Sequence, residues 1–400
     1  MLWIAMGLGC SPSADVTLAV ENGDGYLQAL GTLEHAITAT EALGSSDWTR
    51  HARIADAHLA MARLTGRYEP YDAALAELGD AFSLAPTGGG PHETAAAVLF
   101  SLHRLPEARD ALEQAWGTIL LDDVTHARLW LLESQIAWQE GQLKLAEEAV
   151  EASLSLRPTY DALAARGHQR WHLGAYDAAD ADYVAAKRQL IDDAGQAAAW
   201  IEVQRGLMDL DRSRYDEALS HYLLADTAFP GWWLVHEHIA EVLALNGQPN
   251  QATALYEQVV AETGAPELAL ALAELQGLNS SKSRARLDDA EKAWTDVLAR
   301  HPEAASGHAI EFFVAIGDLD RAQTLAQANV AARPGPASHV ELASVHAVLK
   351  QWPEAREAAQ TALATGFQTP DLLDLAADIQ RALGDRSEAR RLAQRAESLR

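Results

Sequence analysis

Thiol chemistry is almost missing from this 400-residue chain, which has a single cysteine, Cys10. One cysteine excludes an internal disulfide and any zinc cluster built on thiolates. Positive charge is scarce as well. Lys and Arg number 31 against 57 Asp and Glu, a formal net charge of −26. So acidic a surface repels phosphate, which argues against nucleic acid as a partner. No stretch reaches the roughly 18 apolar residues that a membrane-spanning helix needs. A phosphate-binding loop is missing too: "TGGGP" at 87–91 has neither the lysine nor the spacing of one and reads as a linker. The 15 histidines invite a metal reading that their spacing does not support. In "VHEHIAEV", His236 and His238 are two apart and so point to different faces of a helix, and Ala240 stands where a zincin needs its second histidine. His51 and His58 share a helix face and read as surface or groove residues. The acidic pairs Asp122-Asp123 and Asp192-Asp193 are expected at helix starts, where capping and the helix dipole explain them. No catalytic residue, cofactor or metal is expected.

What the chain does have is an internal period. Ala74, Ala108, Ala146, Ala179, Ala218, Ala252, Ala290, Ala322, Ala355 and Ala389 recur every 32 to 39 residues. Around them recur a bulky residue early, a Gly before the second half and a Pro near the end, as in Trp130, Gly141, Ala146 and Pro158. Gly frees a turn from a Cβ clash, Ala lets two helices approach, and Pro ends a helix because it cannot continue the hydrogen-bond ladder. Ala74, Ala146, Ala218 and Ala290 are 72 residues apart, as are Pro86, Pro158, Pro230 and Pro302, so a two-repeat unit has been duplicated. This pattern resembles the tetratricopeptide repeat family over residues 48–400, although His103, Ser213, Ala285 and Lys350 stand where Gly is usual. The resemblance implies an all-α, right-handed superhelical solenoid of about ten helix pairs over residues 45–400. Residues 25–44 are expected to form an N-terminal helix or half-repeat, with Ser46 or Asp47 capping the helix that follows.

The start of the chain, "MLWIAMGLGC", resembles the tail of a bacterial lipoprotein signal, an apolar run followed by a small residue and then cysteine. No Lys or Arg precedes the run. The resemblance implies a signal remnant over 1–10, lipidation of Cys10 and a tether over 11–24. Ser11 after the cysteine resembles the outer-membrane sorting of enterobacterial lipoproteins. The alternative is an apolar end on a cytoplasmic protein.

Binding of other proteins or peptides is thus the expected function, without enzymatic activity. The leading reading is an envelope lipoprotein on the outer membrane, facing the periplasm, that assembles other envelope proteins. The alternatives are a soluble cytoplasmic adaptor and an accessory subunit of an envelope enzyme. In the family, ligands lie in a concave groove lined by the first helix of each pair. Three residues before the turn, successive repeats carry Phe100, Trp138 and Trp171, and then Leu210, Ala244 and Val314. Arg128, Gln135, His168 and His172 lie on the same helix face. Together these seven residues are the candidate partner groove, with packing between repeats as the competing reading of the aromatics. Trp130 and Trp200 occupy the family's early Trp place and are expected in the core. Residues 381–400 carry six Arg against Asp385, Glu388 and Glu397, which suggests an acidic partner or self-association.

Overall fold

The computed structural model describes residues 24–44, 47–117, 122–192, 194–278 and 280–400. Cys10, the signal remnant and residues 11–23 lie outside them. The described residues form 21 helices and no strand. Helix α1 spans Asp24–Glu41. Ten antiparallel pairs follow, as the repeat spacing predicts: α2 Trp48–Thr65 with α3 Glu69–Leu84, α4 His92–Ser101 with α5 Leu105–Trp116, α6 Asp123–Gln139 with α7 Leu143–Leu156, α8 Tyr160–His172 with α9 Tyr176–Lys187, and α10 Gln196–Asp211 with α11 Tyr215–Ala228. The later five are α12 Trp233–Leu245 with α13 Pro249–Thr263, α14 Glu267–Leu275 with α15 Ser281–Arg300, α16 Pro302–Ile316 with α17 Leu319–Ala332, α18 Pro336–Val348 with α19 Trp352–Ala364, and α20 Pro370–Ala382 with α21 Arg386–Leu399.

The recurring alanine of each second helix is what brings a pair together. All ten are buried, from Ala74 at 0% exposure to Ala290 at 4%. Larger residues fill the gaps where the facing helix gives room. Tyr183 and Tyr222 are fully buried because Gly167 and Gly206 oppose them; a Cβ on Gly206 would come within 2.3 Å of the Tyr222 ring. Asp47 caps α2 and Asp122 caps α6, each carboxylate accepting a backbone N–H. The second acidic pair behaves differently. Gly195 precedes α10, Asp192 accepts the Ala194 N–H in the loop, and Asp193 lies outside the described residues.

Three turns lack glycine and hold His103, Ser213 and Lys350 in the left-handed region at φ of 56 to 59°. Ala285 is not a turn residue. The seventh pair turns earlier, at Gly277, because α14 has only 9 residues and α15 runs for 20.

The pairs do not form an open spiral. After five pairs the array returns onto itself and begins a second superhelical turn stacked on the first. Gly141, in the turn of the third pair, sits against Pro334, in the loop after the eighth; a Cβ there would be 2.9 Å from the Pro334 carbonyl oxygen. Gln368, in the loop after the ninth pair, donates its backbone N–H to the His172 carbonyl at 2.9 Å and its side-chain amide to that of Leu173 at 3.1 Å. Arg212 and Arg214, in the turn of the fifth pair, donate to the carbonyls of Leu399 and Arg400 at the end of the tenth. At the start of the array, Trp232 and Trp233 donate their indole N–H groups to the Leu64 carbonyl at 3.1 and 3.0 Å. Tyr26 of α1 donates its backbone N–H to Pro230. The turns of the first, third and fourth pairs thus rest on loops between pairs of the second superhelical turn, and that of the fifth rests on its C-terminal end.

Candidate functional site

The first helix of each pair lines the inside of the superhelix, and polar side chains link one such helix to the next there. Thr94 of α4 donates to Asp56 of α2 at 2.7 Å, and Arg128 of α6 pairs with Glu93 of α4 at 2.6 Å. Of the sequence-selected residues, Arg128 is therefore exposed but engaged, and Gln135 is half-buried. Phe100 is half-buried against a cluster formed with α5 and α6. It does not join the other aromatics.

Trp138, His168, Trp171 and His172 do come together. The His168 and His172 rings lie 4.2 Å apart, one helical turn from each other on α8. Trp138 meets both edge-on at 5.9 and 6.2 Å, and Trp171 lies 4.4 Å from His172. A fifth ring closes the cluster from the second superhelical turn: Phe367, 5.2 Å from His172. Sequence reasoning missed Phe367, because a residue in a loop so distant along the chain carries no periodic mark of this contact.

The cluster corrects the expectation for Trp171. Its ring is 7% exposed, and its indole N–H donates to Asp211 at 3.0 Å. It packs in the core that includes Phe367, Leu372 and Leu373, the packing reading of this position. Its place in the helix is the groove position, but closure of the superhelix puts the seam there. Burial pushes the His172 imidazole down to about 4 and that of His168 well below its ordinary value, with the neighbouring His172 adding to the effect on His168. Trp130 and Trp200 are half-buried, Trp130 edge-on to Trp116 and Trp200 between two core clusters.

Inside the second superhelical turn the wall is acidic. Glu237, His238 and Glu241 of α12, Glu267 and Glu274 of α14, His308 and Glu311 of α16 and Glu341 of α18 act on one another electrostatically, and Arg333 and the Asn329 amide partly offset Glu341. Burial raises the Glu237 carboxyl, and Glu241 and Glu267 raise it further while His238 and His308 oppose them. Glu274 is raised by burial and by Glu311. Among the described residues, no group of three or more His, Cys, Asp and Glu is placed to hold a metal ion.

Several other histidines and arginines are tied to neighbours. His236 is buried and bonded to Asp226 at 3.0 Å; His238 stacks on Tyr222; His51 bonds Glu77. Of the C-terminal arginines, Arg381, Arg391 and Arg400 pair with Asp378, Glu388 and Asp374.

Residues 127–160, which cover most of α6 and all of α7, match the family described as tetratricopeptide repeat. The third helix pair is a tetratricopeptide repeat. The neighbouring pairs repeat its helix-pair arrangement, and the chain is similar to several solved structures, two of them described as tetratricopeptide repeat proteins. One from Parabacteroides merdae ATCC 43184 is 16% identical, with 60% of this chain and 93% of that chain covered and a TM-score of 0.36. A thermophilic one from Thermus thermophilus is 20% identical over 46% of this chain and 99% of that chain, at 0.37. Yeast Tom70 is 13% identical over 96% of this chain and 92% of that chain, at 0.38. No curated protein matches the chain significantly. No described helix is long and apolar enough to cross a membrane.

Proposed function

We propose that this tetratricopeptide array is a non-enzymatic scaffold that holds other proteins or peptides on the inner faces of its first helices. The observation that carries the reading is the wall formed by α12, α14, α16 and α18, where carboxylates from four successive first helices face one space. Like charges gathered at such a surface oppose folding and suit a partner that brings positive charge. The same charge disfavours nucleic acid. Phe100, Arg128, Gln135, Trp138 and His168 extend this inner surface into the first superhelical turn; Trp171 and His172 support it from the seam. In-cell photo-crosslinking from positions 135 and 241 tests the reading, with position 148 on the outer helix α7 as reference. Adducts from the inner positions and none from 148 support it. Equal adducts from all three reject it.

The compartment rests on the sequence alone. Cys10 behind a short apolar run supports a lipid anchor and a bacterial envelope location, on the outer membrane facing the periplasm, where the scaffold would assemble envelope proteins or support an envelope enzyme. Metabolic labelling with a radioactive fatty acid should mark the wild type and not Cys10→Ala. An unlabelled wild type leaves the cytoplasmic adaptor as the reading.

A further inference from the structure

Helices of a pair run antiparallel, so all turns inside pairs lie at one rim of a superhelical turn and all loops between pairs at the other. The two superhelical turns join rim to rim through unlike edges, turns of the first on loops of the second. Among the described residues, two edges of opposite type are therefore left open. One is the loop edge of the first superhelical turn, and the other is the turn edge of the second.

The glycines report the difference. In the joined edges a Cβ on Gly66 would meet the Trp233 ring at 2.6 Å, and one on Gly335 would meet the Gln139 carbonyl at 2.7 Å. In the open turn edge, Gly247, Gly277, Gly317 and Gly384 would meet nothing within 4 Å, and the same holds for Gly44, Gly88 and Gly195 in the open loop edge, where Gly90 would meet only Phe82 and Ala85 from the end of its own pair; in the joined loop edge Gly264 is the exception that meets nothing.

These two edges also carry most of the exposed large apolar side chains. Leu43, Leu84, Leu156 and Ile191 lie on the open loop edge and are at least 40% exposed. Leu278, Val348 and Leu383 lie on the open turn edge at 36–46% exposure. Elsewhere among the described residues, such exposure is confined to Leu27, Phe82 and Leu224, within α1, α3 and α11. Apolar side chains scattered singly over a surface need no explanation, but rows on two matching edges do.

We propose that a second copy of this chain stacks head to tail, its open loop edge seated on the open turn edge of the first, so that the contact repeats the seam already present inside each molecule. The interface is heterologous: different surfaces of the two copies meet, and the stack stays open to further copies. Each copy is strongly negative, so association is opposed by charge and should strengthen as salt screens it.

Sedimentation equilibrium of the 400-residue chain carrying Cys10→Ser, which removes any disulfide or lipid contribution, tests the proposal. The expected mass exceeds the monomer, rises with concentration without a plateau, and rises with salt. Two variants give the decisive reading. One carries Leu84→Glu, Leu156→Glu and Ile191→Glu on the loop edge; the other carries Leu278→Glu, Val348→Glu and Leu383→Glu on the turn edge. Each alone should be monomeric. Mixed in equal amounts they should form a one-to-one dimer and stop there, since one intact edge of each type remains. Circular dichroism melts confirm that both are folded, and a serine series at the same positions replaces any glutamate variant that is not. A wild type that stays monomeric into the high micromolar range overturns the proposal. A mixture of folded variants that stays monomeric, or one variant that still pairs with itself, does so equally.

Discussion

Glu202 shows how a charge is held inside a stack of helices. Its side chain is almost fully buried on α10, and Lys187, Arg205 and His221 surround it at 2.9, 3.3 and 2.7 Å. Burial alone would raise its carboxyl. The hydrogen bonds of His221 and Lys187 and the charges of Arg205 and Lys187 outweigh that and bring it to about 2. Glu202→Gln removes the carboxylate that these three groups share, although Arg205 keeps Asp180 at 2.8 Å and His221 keeps Asp209 at 3.6 Å, and should cost about 3 kcal/mol near neutral pH, the scale of breaking a buried ion pair. Because the folded value lies below the ordinary 4.5, this stabilisation is complete above 4.5 and is lost as pH falls from there toward 2. Urea titrations of wild type and variant should therefore diverge above about pH 5 and converge in acid. Trp171 makes the second residue-scale test. Trp171→Ala should cost about 3–5 kcal/mol, as truncation of a core aromatic does, and it also deprives Asp211 of a donor. The half-buried Trp138 should cost less. Thermal melts of the two variants compare them, and equal small losses would show that Trp171 is not core.

At the scale of elements, one kind of turn serves in two environments. Gly141 and Gly384 occupy equivalent turns with φ of 75 and 90°, one at the seam and one at the open edge. A methyl group at either position meets the left-handed strain of about 1–2 kcal/mol. At Gly141 it also meets the Pro334 carbonyl at 2.9 Å, whereas at Gly384 it meets nothing. Gly141→Ala should thus lower the urea midpoint clearly more than Gly384→Ala. The seam also responds to acid. His168 and His172 are held neutral by burial, with folded values below the ordinary 6.5 and about 4 for His172. A depressed histidine favours the folded state above the unfolded value and loses that advantage as pH falls through 6.5 toward 4. Melting temperature should fall between about pH 7 and 4.5, and the fall should be smaller in His168→Phe/His172→Phe, in which no proton can be taken up.

An open solenoid couples only neighbouring repeats, so its ends fray independently. Here Trp232 and Trp233 tie the Leu64 carbonyl to the start of the second superhelical turn, 168 and 169 residues on. Pairs far apart in sequence should therefore unfold together. Trp233→Ala removes one of these ties together with a buried ring. Native-state hydrogen exchange should then show α1 to α3 losing protection ahead of α10 to α13, while in the wild type they exchange together. Simultaneous loss in both proteins would mean that the stacked turns are not what couples them.

The sequence by itself determined the ten helix pairs. Alanines 32 to 39 residues apart, glycines at the turns and prolines near the ends act within one pair, where the contacts are local and each residue type has one steric job. That is why α6 and α7 were legible from Trp130, Gly141, Ala146 and Pro158, while Ala285 misled: there a short α14 moved the turn to Gly277. It is also why Trp138, His168, Trp171 and His172 could be placed on neighbouring helix faces. Only the tertiary structure decided what those faces meet. Small rotations between successive pairs add up, and after five of them the loop holding Phe367 and Gln368 arrives over His172. No local pattern encodes that sum, so the groove position of Trp171 became a seam, and two edges were left open at the ends of the stack.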